Sequence, residues 1–170
     1  NVLLKKGYGL ADSRNNIPFT PDTIFDIGSI TKQFTAACIL KLEMQKKISV
    51  QDRITKFFDN VPFDKQDITL HHLLTHSAGL VNSIGEDEEL IGREEYLKKA
   101  FASELIHEPG KYDYSNVGFS ILAAVVEKVS GEEYEHFLYE QILKPAGMEH
   151  TGYVLPKWDR KQMAIGYSNN

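Results

Sequence analysis

The sequence predicts an α+β fold in which short strands near the beginning of the chain are followed mainly by helices. Two short apolar segments, residues 2–6 and 23–27, are typical of strands. Longer apolar segments at residues 30–47 and 117–129 are typical of buried helices, because their apolar side chains lie on more than one face. A length of 170 residues suits one domain.

Composition excludes several classes of function. A formal net charge of -5 gives no basic surface of the kind that binds nucleic acid. No run of 18 apolar residues is present, so we expect no membrane span. The chain starts without an initiator Met and without the layout of a signal peptide. Cys38 is the single cysteine, which excludes an internal disulfide, and we expect it to be a small buried apolar side chain.

The first third of the chain is predicted to hold the strands and the first long helix. Residues 2–12 favour a strand with a glycine break, and residues 13–16 are rich in polar turn formers. A second strand at residues 23–27 leads into the helix at 30–47. Residues 49–58 favour a short helix.

The rest of the chain is predicted to be mainly helical. Thr69 is typical of an N-cap and Gly131 of a C-terminal cap. The predicted helices cover residues 70–75, 93–103, 117–129 and 132–143. The acidic run at 86–89 lies in a loop, and it is either a solvated surface or a mobile flap over a site. A short strand is predicted at 151–155, before an irregular tail.

The first candidate for chemistry is Ser29, which Lys32 follows one helical turn later. On a helix the two side chains would share one face. A serine needs a neighbouring base, and a partly desolvated lysine amine can be that base or part of a relay to it. The helix N-terminus adds N–H groups where an oxyanion would form. However, composition alone gives about one Ser-x-x-Lys match by chance, and serine is also a common N-cap.

Tyr114 and Asn116 precede the second apolar helix as Ser29 precedes the first. An ammonium group beside a tyrosine favours the phenolate, so Tyr114 could take the proton from Ser29 and pass it to a leaving group. The Asn116 amide could orient Lys32 and bond a substrate carbonyl or amide. The structural alternative is a core tyrosine with Asn116 as the helix cap. A second Tyr-x-Asn pattern begins at Tyr167, but no helix follows it, and we expect no function there.

Two other patterns are weaker. His72 and His76 have the i, i+4 spacing of some metal ligands, but the glutamate of a zinc-protease helix is absent between them. We expect structural histidines and no bound metal. The segment from Thr75 to Gly79 nearly matches the Gly-x-Ser-x-Gly nucleophile elbow around Ser77, but a helix followed by a loop is the wrong context for that motif.

Four segments, taken together and in order, resemble the penicillin-recognising serine hydrolases, in the branch of class C beta-lactamases, D-alanyl-D-alanine carboxypeptidases and related esterases. They are residues 23–35, 73–80, 109–119 and 143–151. The first contains Ser29-Ile30-Thr31-Lys32, and the third contains Tyr114-Ser115-Asn116. Four ordered segments are far more specific than either short motif alone.

The resemblance implies a beta-lactamase/transpeptidase-like fold, of which these residues would form one partial domain. In this interpretation residues 1–48 hold strands and the catalytic helix, residues 49–155 form a mainly helical subdomain, and residues 156–170 are an irregular tail. The family's third signature, Lys or His followed by a variable residue and Gly on a late strand, has no credible copy in the sequence. We therefore expect a second chain or a missing C-terminal half to complete the antiparallel sheet.

The resemblance also implies a role for each candidate residue. Ser29 would be the acylated nucleophile, and its backbone N–H would form half of the oxyanion hole. Lys32 would be the hydrogen-bonded activator of Ser29. Tyr114 would be the general base and acid, and Asn116 would bind substrate and brace Lys32.

The implied activity is hydrolysis of a small acyl substrate (a lactam, a peptide or an ester) through an acyl-serine, with no metal or organic cofactor. The alternative is a non-catalytic penicillin-binding-like sensor or binding module that keeps the pocket. The resemblance favours the cell envelope, the periplasm or a secreted location, although no signal peptide is present in the sequence.

Overall fold

The computed structural model describes residues 2–85, 91–153, 159 and 162–167. The acidic run at 86–89 lies outside the described residues. The chain divides into two compact units. The smaller contains residues 1–31 and 149–170, and the larger contains residues 32–148. The domain division predicted above stays a prediction.

The smaller unit contains a short antiparallel hairpin, with β1 at Leu10–Asp12 and β2 at Ile17–Pro18. Asp12 organises the turn, because its carboxylate accepts hydrogen bonds from the backbone N–H groups of Arg14 and Asn15 at 2.9 and 3.1 Å. The hydroxyl of Tyr167 donates to the same carboxylate at 2.7 Å. These bonds hold the pKa of Asp12 at about 2, with the Tyr167 hydrogen bond as the largest cause.

Two predicted strands are wrong in this unit. Residues 2–6 form no strand, and β1 begins only at Leu10. In place of a strand at 23–27, the structure has a single parallel bridge between Ile24 and Met163. The Ile24 backbone exchanges hydrogen bonds of 2.9 and 2.7 Å with residues 162 and 164. Within the described part of the chain, this pairing does not extend to residues beside Ile24, so no ladder develops.

The larger unit is helical, as predicted. Its α-helices are α1 (Thr31–Met44, which begins at the last residue of the smaller unit), α2 (Leu70–Leu74), α3 (Arg93–Ala102), α4 (Asn116–Ser130) and α5 (Tyr134–Leu138). A π-helical turn at Tyr139–Leu143 continues α5. The helix predicted at 49–58 is reduced to a 3-10 turn at Ile54–Lys56. The short strand predicted at 151–155 is absent from residues 151–153, and residues 154–155 lie outside the description.

The core of the larger unit forms around α4, which packs against α2, α3 and α5. Eight of its residues are buried, and they are Val117, Gly118, Phe119, Ile121, Leu122, Ala124, Val125 and Val126. The helix is capped at both ends. The hydroxyl of Ser115 accepts the N–H of Gly118 at 3.1 Å, and Gly131 closes the last turn with φ of +76°. Ser115 rather than Asn116 is therefore the N-cap.

The first helix is less buried than its sequence predicts. Cys38, Ile39 and Leu42 are fully buried, whereas Leu40 and Met44 are exposed. Burial raises the pKa of the Cys38 thiol to about 12, so Cys38 is an apolar core side chain, as expected.

The short helix α2 begins at Thr69, as the sequence predicts. The Thr69 hydroxyl accepts the N–H of His72, and the His72 ring nitrogen Nδ1 accepts the N–H of Thr69, each at 3.2 Å. This reciprocal pair is a capping box with a histidine in the place of the usual Glu or Gln.

One lysine lies inside the larger unit. The side chain of Lys65 is 2% exposed, and its ammonium donates to the half-exposed Asp64 carboxylate at 2.6 Å. Lys65 is the last residue of the 3-10 turn Phe63–Lys65. In the preceding 3-10 turn, Ile54–Lys56, Lys56 is 52% exposed and pairs with Asp52. Among the residues that the structure describes, no helix has both the length and the apolar character needed to cross a membrane.

Candidate active site

Ser29 lies in a single 3-10 turn, Gly28–Ile30, directly before α1. Gly28 has φ of +52°, a conformation in which glycine carries no steric cost. The Asp26 carboxylate accepts the N–H of Gly28 at 2.7 Å, and the Ile30 N–H donates to the carbonyl of Ile27 at 3.2 Å. The α-helix therefore starts two residues after Ser29, and Ser29 itself is exposed on the preceding tight turn.

Lys32, in the first turn of α1, is half-buried and reaches α4. Its ammonium donates a hydrogen bond to the side-chain oxygen of Asn116 at 2.7 Å. These two residues are 84 positions apart in the chain. The ammonium also lies 4.9 Å from the ring centroid of Tyr114 and 5.7 Å from that of Phe119, within the range of cation–π attraction. Three of the four predicted site residues, Lys32, Tyr114 and Asn116, therefore lie together in the larger unit.

The orientation of the Asn116 amide follows from its partners. An ammonium only donates, so the Asn116 oxygen must face Lys32. The Asn116 NH₂ group then faces Asn82, whose side-chain oxygen accepts it at 3.1 Å. The backbone N–H of Asn116 also donates to the carbonyl of Asn82 at 2.8 Å. This bond to Asn82 uses one of the two NH₂ hydrogens.

Two segments of the larger unit, residues 76–82 and 105–116, hold these side chains by backbone pairing. Leu80 and Leu105 form an antiparallel bridge, and the Ile106 N–H donates to the carbonyl of Gly79 at 2.8 Å. Further along, the Gly110 N–H donates to the Ser77 carbonyl at 2.8 Å. The 105–116 segment therefore runs beside the 76–82 segment until α4 begins.

His76 packs directly on Tyr114. Its ring stacks on the Tyr114 ring with centroids 4.5 Å apart and an interplanar angle of 30°. The His76 ring also lies 4.9 Å from the Phe119 ring, and Tyr112 meets the imidazole edge-on at 6.1 Å. The Nδ1 atom of His76 accepts the backbone N–H of Ser115 at 3.2 Å.

The surroundings of His76 favour its neutral form. Burial lowers the pKa of His76 first, and the positive charge of Lys32 lowers it further, while the hydrogen bond from Ser115 acts in the opposite direction. Because a backbone N–H is a donor, Nδ1 must be unprotonated and the ring hydrogen must be on Nε2.

The residues of the weaker sequence motifs make contacts of a structural kind. The Ser77 hydroxyl hydrogen-bonds the Thr75 hydroxyl at 2.8 Å, and Tyr167 binds Asp12 in the smaller unit. The ring of His72 caps α2, and His76 lies beyond the end of that helix at Leu74, so the two rings do not share a helix face. Within the described ranges, no group of three His, Cys, Asp or Glu side chains could hold a metal ion.

Sequence reasoning missed two residues of this site. Asn82 carries no recognisable signal, because it is one polar residue in a predicted loop. Phe119 lies in an apolar helix, where a phenylalanine is expected to be a core residue and gives no signal of a functional site. His76 was expected to be structural, and its stacking on Tyr114 connects it to the predicted catalytic group.

Comparison with known proteins then places the chain in a family. A family profile described as Beta-lactamase matches residues 1–170. The chain belongs to the beta-lactamase family. A relative in Bacillus subtilis (strain 168), named "Putative penicillin-binding protein PbpX", is 34% identical over 166 residues, which are 98% of this chain and 42% of that protein.

Solved structures of the beta-lactamase family agree in fold. The octameric penicillin-binding protein homologue from Pyrococcus abyssi superposes with a TM-score of 0.83 at 33% identity, over 99% of this chain and 42% of that one. The beta-lactamase/D-alanine carboxypeptidase from Yersinia pestis gives 0.81 at 27% identity, over 93% of this chain and 48% of that one. The beta-lactamase/transpeptidase-like α+β fold is therefore confirmed, and the chain spans less than half the length of these relatives.

Proposed function

We propose that this chain carries the nucleophile and the proton relay of an acyl-serine hydrolase that acts on an amide, a lactam or an ester. The observation that carries the proposal is the 2.7 Å hydrogen bond from Lys32 to Asn116, with the Lys32 ammonium 4.9 Å from the Tyr114 ring. Lys32, Tyr114 and Asn116 come from two motifs that are far apart in the sequence, and they lie in one cluster. Chance matches to short motifs would not bring their residues together in space.

In the proposed reaction the hydroxyl oxygen of Ser29 attacks the acyl carbon of the substrate. Its proton passes to the Tyr114 phenolate, which the ammonium of Lys32 stabilises. The tetrahedral intermediate expels the amine or alcohol, which takes the proton from Tyr114, and the acyl group remains on Ser29. Water then attacks the ester and gives a proton to Tyr114. When this second tetrahedral intermediate collapses, Tyr114 returns the proton to the oxygen of Ser29, which releases the carboxylic acid and restores the Ser29 hydroxyl and the Tyr114 phenolate.

Asn116 has two functions in this proposal. Its oxygen holds the Lys32 ammonium, and its second NH₂ hydrogen binds a carbonyl or amide oxygen of the substrate. The Ser29 backbone N–H supplies half of the oxyanion hole, and the third signature of the family supplies the other half. The names of the relatives, a penicillin-binding protein and a beta-lactamase/D-alanine carboxypeptidase, support a lactam or a D-alanyl peptide as the first substrates to test.

The test is covalent labelling of the full-length protein with a fluorescent penicillin and with a fluorophosphonate. Mass spectrometry should locate the adduct on Ser29, and Ser29→Ala should abolish it. Ser77→Ala is the matched control, because Ser77 lies in the near-match to the nucleophile elbow and should be dispensable. Absence of an adduct with both probes would refute the hydrolase and favour the binding or sensor module.

The proton relay is tested by Lys32→Ala and Tyr114→Phe. Each should slow acylation of Ser29 by about 10²- to 10⁴-fold, the usual contribution of general acid–base catalysis. Stopped-flow or quenched labelling measures this rate directly. Rates near the wild-type value in both variants would refute the relay.

A further inference from the structure

Three consecutive residues before α4 are held by one side chain and its backbone. The carbonyl of His76 accepts the N–H of Asp113 at 2.7 Å. The imidazole of His76 stacks on Tyr114, and its Nδ1 accepts the N–H of Ser115 at 3.2 Å. Ser115 is 3% exposed and is the N-cap of α4, so these contacts of His76 also connect Tyr114 to the start of that helix.

We propose that His76 is a positioning residue for the reaction, whose neutral imidazole fixes the ring of Tyr114 against the ammonium of Lys32. The proposal rests on the proposed function, because it takes Tyr114 to be the group that moves the proton. It adds a residue that acts through Tyr114 and does not itself touch the substrate.

The backbone of His76 is set for this contact. Its φ is +54°, in the left-handed region that few residues other than glycine adopt. Histidine, asparagine and aspartate are the side chains that enter this region most readily. The conformation lets the carbonyl and the ring of the same residue both face the 105–116 segment, and this is a local strain of the kind found at functional sites.

The charge state of the His76 imidazole decides whether it can accept the hydrogen bond from Ser115. A proton on Nδ1 would turn the acceptor of the Ser115 N–H into a second donor, and the hydrogen bond would be lost. In the part of the chain that the structure describes, the side chains around the ring include Lys32 from α1, Tyr112 and Tyr114 from the approach to α4, and Phe119 from α4 itself. Lys32 is the only charged group among these four, and it opposes a second cation beside it, in line with the lowered pKa of His76.

Two variants of the full-length protein separate the contribution of the His76 ring from that of its hydrogen-bond acceptor. His76→Asn keeps an acceptor on the same branch of the side chain and suits the positive φ, but it removes the ring. His76→Phe keeps a ring and removes the acceptor. His71→Asn is the matched control, because His71 is exposed on α2 and its ring contact is with His72.

The first measurement is the rate of fluorophosphonate labelling of Ser29, resolved into the maximal rate and the half-saturating probe concentration. Both His76 variants should lower the maximal rate by about 10- to 100-fold, because a small misplacement of a catalytic group has an effect of this size. The half-saturating concentration should change less than about twofold, and His71→Asn should match the wild type. Wild-type maximal rates in both His76 variants would overturn the proposal.

The second measurement does not depend on catalysis. Imidazole ¹⁵N NMR of the wild type, assigned by the signal that disappears in His76→Asn, should show the hydrogen on Nε2 and an accepting Nδ1 at neutral pH. The amide signal of Ser115 should shift with the same midpoint as the imidazole when the pH is lowered. A hydrogen on Nδ1, or a Ser115 amide that does not follow, would overturn the proposal.

The two measurements also separate this proposal from the hydrolase itself. If wild-type Ser29 is not labelled, the proposed function fails, and the NMR titration alone decides whether His76 holds the Tyr114-Ser115 segment. If a variant does not fold, as judged by circular dichroism, the other variant and the titration decide. Labelling that is normal in wild type and unchanged in every His76 variant that folds refutes the positioning role alone.

Discussion

Gly79 offers the sharpest test of how the site segments are held. It has φ of +75°, and a Cβ atom built on it would lie 1.9 Å from the carbonyl oxygen of His107. Gly131, at the end of α4, has nearly the same φ of +76°, but a Cβ atom there would meet nothing within 4 Å. Gly79→Ala and Gly131→Ala therefore share the conformational strain, and only Gly79→Ala adds a steric collision.

The structure sets the size of each effect. Alanine in the left-handed region costs about 1–2 kcal/mol, which is the whole expected loss of unfolding free energy for Gly131→Ala. In Gly79→Ala the two backbones must also separate by about 1 Å, which breaks the 2.8 Å bond from Ile106 to the Gly79 carbonyl. An unsatisfied buried carbonyl costs about 1–3 kcal/mol, so the total loss should be about 2–5 kcal/mol.

Urea unfolding of both variants beside the wild type measures this difference. The midpoint should fall further in Gly79→Ala, with the slope of the transition unchanged. Labelling of Ser29 should also slow in Gly79→Ala, because Tyr114 and Asn116 lie on the 105–116 segment that this contact positions. Equal losses of stability in the two variants would show that the close approach of Gly79 to His107 has no structural role.

Two further predictions concern single hydrogen-bond groups. Ser115→Ala removes the N-cap of α4 and should lower the unfolding free energy by about 1–2 kcal/mol in a urea titration, whereas Ser120→Ala should have little effect; equal effects would contradict the cap. Tyr167→Phe should raise the pKa of Asp12 from about 2 toward 3.8, measured by carboxyl ¹³C NMR, and an unchanged titration would contradict the hydrogen bond. Since Asp12 has a depressed pKa, its stabilising effect is complete above about pH 4 and is lost as the pH falls toward 2, and Tyr167→Phe should reduce that loss.

The helices were predictable because their signals are local. Thr69 and Gly131 mark the ends at which α2 begins and α4 stops, and the apolar residues between 117 and 129 bury α4 on most sides. In the structural alternative the same local reasoning made Asn116 the cap of α4, whereas Ser115 occupies that position. Two adjacent residues with good capping side chains cannot be ranked without the backbone, since the cap is the residue whose φ and ψ are extended.

The strands and the details of the site could not be predicted in this way, because they depend on partners far away in sequence. Ile24 pairs with residue 163, and the carbonyl of Gly79 pairs with Ile106. The motifs did predict Lys32, Tyr114 and Asn116 as neighbours in space. They did not predict that Asn82 would orient the amide or that His76 would cover the Tyr114 ring, since neither contact leaves a pattern in the sequence.

Chemical modification of the buried Lys65 ammonium can report local opening of the larger unit without an added probe. Amine-modifying reagents reach a lysine only when its nitrogen is exposed, and Lys65 is 2% exposed while Lys56, in the neighbouring 3-10 turn, is 52% exposed. The extent of modification of Lys65 relative to that of Lys56, measured by mass spectrometry, therefore reports the frequency of local opening around Lys65. Lys56 serves as the exposed internal reference. Ligands or variants that loosen this part of the larger unit would change the ratio before the whole protein unfolds.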